Sequence, residues 1–115
     1  MDVEAILDTL KAYVYSKDLD GNYTYANRSV QKLFGTDLAG IVGKDDSEFF
    51  DLERSNELRA NDQEVLTTGN TVSREERNII EETGEERVFW TVKSAVRDEV
   101  GTVVGMCGVS IDITP

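Results

Sequence analysis

An α+β fold, with five antiparallel strands in one sheet, short helices on one face and an N-terminal helix, follows from three observations. Two β-rich segments, 12–26 and 71–113, flank a stretch dominated by Glu, Arg, Leu, Ala and Gln, which favour helix. Turn residues cut each β-rich segment: Asp18-Leu19-Asp20-Gly21-Asn22 in the first, Glu81-Glu82-Thr83-Gly84 and Asp98-Glu99-Val100-Gly101 in the second. Strand groups on both sides of the helices join most simply as one antiparallel sheet covered on one side. A chain of 115 residues supports one core, so residues 1–11 read as a flanking helix and 12–115 as a single domain.

The elements follow in order. Val3, Ile6, Leu7 and Leu10 recur at helical spacing, and Asp2 is placed to cap them. Ala12 to Lys17 is β-branched and aromatic, hence a strand, and Tyr23 to Ala26 returns after the turn. Asn27 caps a helix bearing Val30, Leu33 and Phe34, which Gly35 stops. Leu38 to Gly43 reads as a loop or short helical turn, and Asp45-Asp46-Ser47-Glu48 as a cap before Phe49 and Phe50. A helix is expected over 52–68, with Leu58, Val65 and Leu66 on one face and Gly69 at its end. Three strands complete the chain, over 71–80, 87–96 and 102–113.

Strand periodicity assigns faces. Arg87, Lys93 and Arg97 share one parity, so Val88, Trp90, Val92, Ser94 and Val96 are expected to face inward. By the same logic Ser110 and Asp112 point out, while Val103, Gly105, Cys107, Val109 and Ile111 point in. Phe89 and Met106 are then left outside and need a cover. With Ile6, Leu7 and Leu10 they form the expected interface of a homodimer.

Composition excludes several functions. A net charge of −11 repels a phosphate backbone, so no nucleic-acid contact is expected. No apolar run nears the roughly 18 residues of a membrane span, and the acidic N-terminus lacks a signal-peptide pattern, so no membrane contact is expected. A single cysteine allows no internal disulfide and suits a reducing, cytoplasmic setting. Histidine is absent, which removes Ser-His and Cys-His catalysis and leaves a zinc site without its usual ligands. Asp18, Asp20 and Asn22 imitate the start of a calcium loop, but Tyr23 and Ser29 stand where glycine and glutamate are needed.

Four segments carry a family resemblance. Tyr13 to Asn27 includes Asp18-Leu19-Asp20-Gly21 and then Tyr25-Ala26-Asn27, and resembles the opening hairpin of PAS domains. Gly43-Lys44-Asp45-Asp46-Ser47-Glu48-Phe49-Phe50 is similar to the family's central segment. Val65-Leu66-Thr67-Thr68-Gly69 resembles the end of its connecting helix, and Arg97 to Gly105 its last hairpin. Ala95 departs from the proline that many relatives carry there. The resemblance implies a sheet and helices enclosing a small cavity, in a module that senses a ligand or dimerises and relays the signal. The implied effector is a histidine kinase in a two-component system; a diguanylate cyclase, a phosphodiesterase or a transcription regulator is the alternative. Asp112-Ile113-Thr114 resembles the family's exit motif and is the expected relay. The chain stops at Pro115, so a sensor module from a longer protein is expected.

The resemblance also frames the chemistry. Without histidine, His-ligated haem is not expected, and the central helices lack the cysteine of flavin photochemistry. The candidate ligand-binding residues are Tyr25, Trp90, Ser94 and Cys107, each read as inward-facing and not purely aliphatic; a filled core is the alternative. A stand-alone enzyme is the distant third reading, since no nucleophile–base pair is present.

Overall fold

The computed structural model describes residues 2–115. Helix α1 spans Val3–Thr9, and Asp2 caps it by accepting a hydrogen bond from the Glu4 N–H at 2.9 Å. Strands β1 (Tyr13–Asp18) and β2 (Tyr23–Ala26) form the first hairpin, whose turn closes on Gly21 at φ 83°. Asn27 caps α2 (Arg28–Phe34), and its Nδ2 donates to the Leu7 and Ala12 carbonyls, which ties α1 to the hairpin. Two 3₁₀ turns follow, Leu38–Gly40 and Asp46–Glu48, capped by Asp37 and Asp45. Helix α3 (Asn56–Thr68) leads to β3 (Val72–Ile79), β4 (Glu86–Arg97) and β5 (Val103–Asp112).

The five strands form one antiparallel sheet in the order β2-β1-β5-β4-β3. Helices α2 and α3 and both 3₁₀ turns cover one face. The α+β architecture and element order agree with the expectation. Helix α3 starts at Asn56 instead of residue 52, because Ser55 Oγ accepts the Ile79 N–H at 2.7 Å and Phe50 bridges Ile80. That anchors 50–55 to the sheet edge and leaves the segment no freedom to coil.

The face assignment of the late strands is inverted relative to the sequence reading. Cross-strand partners share a face, and the register places Lys17 opposite Met106, Lys93 opposite Gly108 and Thr91 opposite Ser110. All of these lie beneath the helices and are buried. Phe89 and Met106, expected outside, are 3% and 0% exposed and belong to the core. Trp90, Val92, Val96, Val109 and Ile111 instead face away from the helices and are exposed, as is Cys107. Of the expected inward set on β4, Val88 alone is buried. The physical reason is that the covered face holds paired charges. Lys93 satisfies its ammonium inside the protein, so its polarity no longer marks the solvent side.

The core is one layer between sheet and helices. Tyr23, Ala26, Val30 and Ile41 pack at the β2 end; Phe50, Leu58 and Ile80 near β3; Val65, Val72 and Met106 beneath α3. Each fully buried large side chain contributes about 1.5–3 kcal/mol.

Candidate functional site

A small cavity of about 30 Å³ lies between the sheet and the helices. Its walls are aromatic on most sides: Tyr13, Tyr15, Tyr23, Phe34, Phe50 and Phe89. The rings hold one another edge-on, Tyr13 against Phe89 at 5.4 Å and Phe34 against Phe50 at 5.4 Å. Phe34 also stacks flat on Phe49 at 4.1 Å, which fixes that wall. Polar groups occupy the remaining side: Lys17, Lys93, Glu76, Asn78 and Ser110. A wider and more polar recess lies on the other side of these charges, lined by Asp20, Asp45, Asp46, Asp62 and Arg59.

Lys17, Lys93, Glu76 and Asn78 belong to one connected network. Asp62, carried inward by α3, accepts from Lys17 Nζ at 2.6 Å and from Lys93 Nζ at 2.7 Å. Lys17 also donates to Asp46, which accepts the Tyr23 hydroxyl on its other oxygen. Lys93 reaches Glu76 Oε2 at 2.7 Å, and Asn61 Nδ2 donates to that same oxygen at 2.8 Å. Arg74 donates to Asn61 Oδ1 at 2.9 Å and pairs with Glu64 at the surface, so the chain of contacts runs from solvent to cavity. Above it, Ser110 Oγ bonds both Thr91 Oγ1 at 2.9 Å and Tyr15 OH at 3.1 Å. Three carboxylates face two ammonium groups, so the network carries a formal charge of −1.

Burial opposes the charges of Asp62, Lys17 and Lys93, and the partners outweigh it. Burial pushes the Asp62 carboxyl up, but Lys17 and Lys93 hold it below the usual carboxylate range. Burial pushes the Lys17 ammonium down, but Asp46 and Asp62 hold it above its ordinary value. Lys93 is likewise raised against its own burial, with Asp62 and Glu76 beside it. Burial and the neighbouring Asp46 push the Tyr23 phenol well up, so it remains a hydrogen-bond donor. Such a network excludes bulk water and holds its geometry.

The expected site residues do not meet at this cavity. Trp90, Ser94 and Cys107 lie on the far face of the sheet, where Ser94 Oγ meets Thr71 Oγ1 at 3.2 Å. Tyr25 is half-buried on that same far side, opposite Ser16, while Tyr23 takes the inward place. Phe89 and Met106 cannot form a dimer surface, because both are enclosed; Ile6 and Leu10 remain exposed and Leu7 is half-buried. The lysines and acids that do line the site were missed. One signal was available: Leu58, Asn61, Asp62 and Val65 share a helical face, which places two polar residues among core positions.

The exit segment is held by specific bonds. Arg87 Nη1 donates to Asp112 Oδ2 at 2.6 Å, and the Thr114 N–H donates to Asp112 Oδ1 at 2.9 Å. The Val88 N–H donates to Thr114 Oγ1 at 2.9 Å, and the Ile113 N–H to the Val88 carbonyl at 2.8 Å. Among the described residues, no helix is long and apolar enough to cross a membrane, and no three acidic or cysteine side chains gather as a metal site.

A five-stranded sheet with helices enclosing an aromatic, charge-walled cavity defines a sensory-domain architecture. The chain matches the model of the PAS fold over residues 7–115 and belongs to that family. It is 39% identical to a diguanylate cyclase of Vibrio cholerae over 96% of this chain and 35% of that protein. It is 30% identical to the methanogenesis regulatory histidine kinase FilI of Methanothrix harundinacea, over 95% of this chain and 12% of that protein. The chain therefore spans about a third or less of the curated relatives it matches. Its fold is similar to that of VqmA from Vibrio cholerae in a complex with ligand and DNA, with TM-score 0.79, 24% identity, and coverage of 97% of this chain and 51% of that one. That neighbour's complex includes DNA, so the expectation of no nucleic-acid contact finds no support in the comparison.

Proposed function

We propose that this PAS domain senses a small molecule in the aromatic cavity and relays its occupancy through the end of β5 to an output domain. One observation carries the reading: Phe89, a wall of the cavity, stands directly opposite Asp112 in the β4–β5 ladder. A guest that moves the Phe89 ring acts one residue pair away from the Arg87–Asp112–Thr114 cluster. The ligand needs only to favour one of two arrangements of that cluster to shift its population. Asp112, Ile113 and Thr114 are then the relay. The greater identity to the cyclase relative supports a diguanylate cyclase output ahead of the histidine kinase that the resemblance first implied.

The far face of the sheet supports a second, compatible reading, a homodimer. Trp90, Val109 and Ile111 are 44%, 43% and 50% exposed, an apolar strip that a second copy would cover.

Native and denaturing mass spectrometry of the freshly purified domain, joined to hydrogen exchange, tests the sensing reading. The expected result is a bound small molecule lost on denaturation, with faster exchange at the Ile113 and Thr114 amides once it is gone. A domain that carries nothing and is stabilised by no member of a metabolite panel would remove the sensing reading and leave the dimer.

A further inference from the structure

Asn78 lines the cavity, is 3% exposed, and presents the one buried side-chain oxygen or nitrogen without a hydrogen-bond partner among the described residues, its Oδ1. Its Nδ2 donates to Glu76 Oε1 at 3.2 Å, so turning the amide around would set its oxygen against that carboxylate. A buried acceptor is costly to leave unmet. The two ammonium groups are committed elsewhere. Lys93 donates to Asp62, to Glu76 and, at 3.5 Å, to the Leu58 carbonyl. Lys17 donates to Asp46 and Asp62 and otherwise faces the Tyr23 ring.

A spare donor stands on the same cavity. The hydroxyls of Thr91, Ser110 and Tyr15 form a chain of two hydrogen bonds, at 2.9 Å and 3.1 Å. Three hydroxyl hydrogens serve two bonds, so one hydrogen is left over at an end of the chain. Tyr15 is the end that lines the cavity. When Thr91 donates to Ser110 and Ser110 to Tyr15, the hydrogen left over is the Tyr15 O–H. One donor and one acceptor thus share a space of about 30 Å³, which has room for about one water molecule.

We infer that one structural water bridges the Tyr15 hydroxyl and Asn78 Oδ1, accepting from the first and donating to the second. Two partners meet the minimum that a buried water needs, and the second lone pair of Ser110 Oγ offers a third. The water is an internal part of the fold, not a sensed ligand. It joins the Thr91–Ser110–Tyr15 chain, on β4, β5 and β1, to the Asn78–Glu76–Lys93–Asp62 network, on β3, β4 and α3. Four strands and a helix then share one continuous set of hydrogen bonds, each polarising the next. The assignment is independent of the sensing reading, under which a guest must displace this water.

A high-resolution crystal structure of the domain, joined to oxygen-17 relaxation dispersion in solution, tests the bridge. The expected result is a single round density peak within about 3.2 Å of both Asn78 Oδ1 and the Tyr15 hydroxyl. In solution the wild-type domain should hold one more long-lived water than Asn78→Leu, which keeps the side-chain size but removes the acceptor. If that variant does not fold, the wild-type density decides alone. A dry cavity, a Tyr15 hydroxyl turned to donate directly to Asn78 Oδ1, or equal numbers of long-lived waters in the two proteins overturns the bridge and leaves the sensing reading untouched. Density for an organic molecule at that place overturns the bridge and supports the sensing reading.

Discussion

Lys93 Nζ lies 2.7 Å from Asp62 Oδ1, with both side chains enclosed between β4 and α3. The pair does more than close one contact, because Asp62 uses its second oxygen for Lys17 on β1. One carboxylate on one helix therefore ties two strands of the sheet, and it stands behind Lys17 and Lys93, which line the cavity.

Asp62→Ala should destabilise the domain by about 3–5 kcal/mol, since it strands two buried ammonium groups. Arg77→Ala, which breaks the exposed Arg77–Glu86 pair, should cost less than about 1 kcal/mol. Urea unfolding of the two variants side by side measures the ratio. A loss of similar size in both would mean that Asp62 and its lysines are solvated in solution.

Stability should depend on pH in a defined sense. The Asp62 carboxyl sits below its unfolded value of about 3.9, so its contribution is present above that pH and is lost as pH falls through the folded value. The ammonium groups of Lys17 and Lys93 sit above their unfolded value of about 10.4, so theirs persists up to that pH and is lost as pH rises through the folded value. A plateau between about pH 5 and 10 follows. In urea titrations the gap between wild type and Asp62→Asn should narrow in acid. A gap that stays constant from neutral pH to pH 2.5 would contradict the charge assignment.

Two buried glycines of β5 should respond differently to a methyl group. A Cβ at Gly108 would meet the Tyr15 ring at 2.5 Å, and one at Gly105 would meet the Lys17 backbone carbonyl at 2.5 Å. A ring can turn, whereas the carbonyl is held in the β1–β5 ladder. Gly108→Ala is expected to cost about 1–3 kcal/mol and to push Tyr15 toward the cavity. Gly105→Ala should cost more. Thermal unfolding ranks them, and equal losses would show that Tyr15 is as fixed as the backbone.

The exposed strip should govern self-association without governing the fold. Sedimentation of the wild-type domain is expected to show a dimer, and Ile111→Glu a monomer whose stability stays within about 0.5 kcal/mol. Met106→Glu, at a 0% exposed position, should unfold the chain instead. A wild-type monomer at high concentration, or an Ile111→Glu dimer, would place any interface elsewhere.

The amino-acid sequence by itself determined the order of the elements and most of their ends. Asp2 and Asn27 as caps, Gly35 and Gly69 as stops, and the turn at Gly21 are local, and each acts through its own backbone or its nearest neighbours. The family was legible for the same reason, since its segments are short runs of such residues in order. Only the tertiary structure decided which face of the sheet is inside. Strand parity separates two faces but does not label them, and in β4 both carry apolar residues: Phe89 on one, Trp90 and Val92 on the other. Lys93 made the covered face look like the solvent face. Its partners Asp62 and Glu76 lie 31 and 17 positions away in sequence, and meet it only once β3 pairs with β4 and α3 settles on the sheet. A buried charge is tolerable because of partners that folding brings to it, and no local pattern around Lys17 or Lys93 announces them.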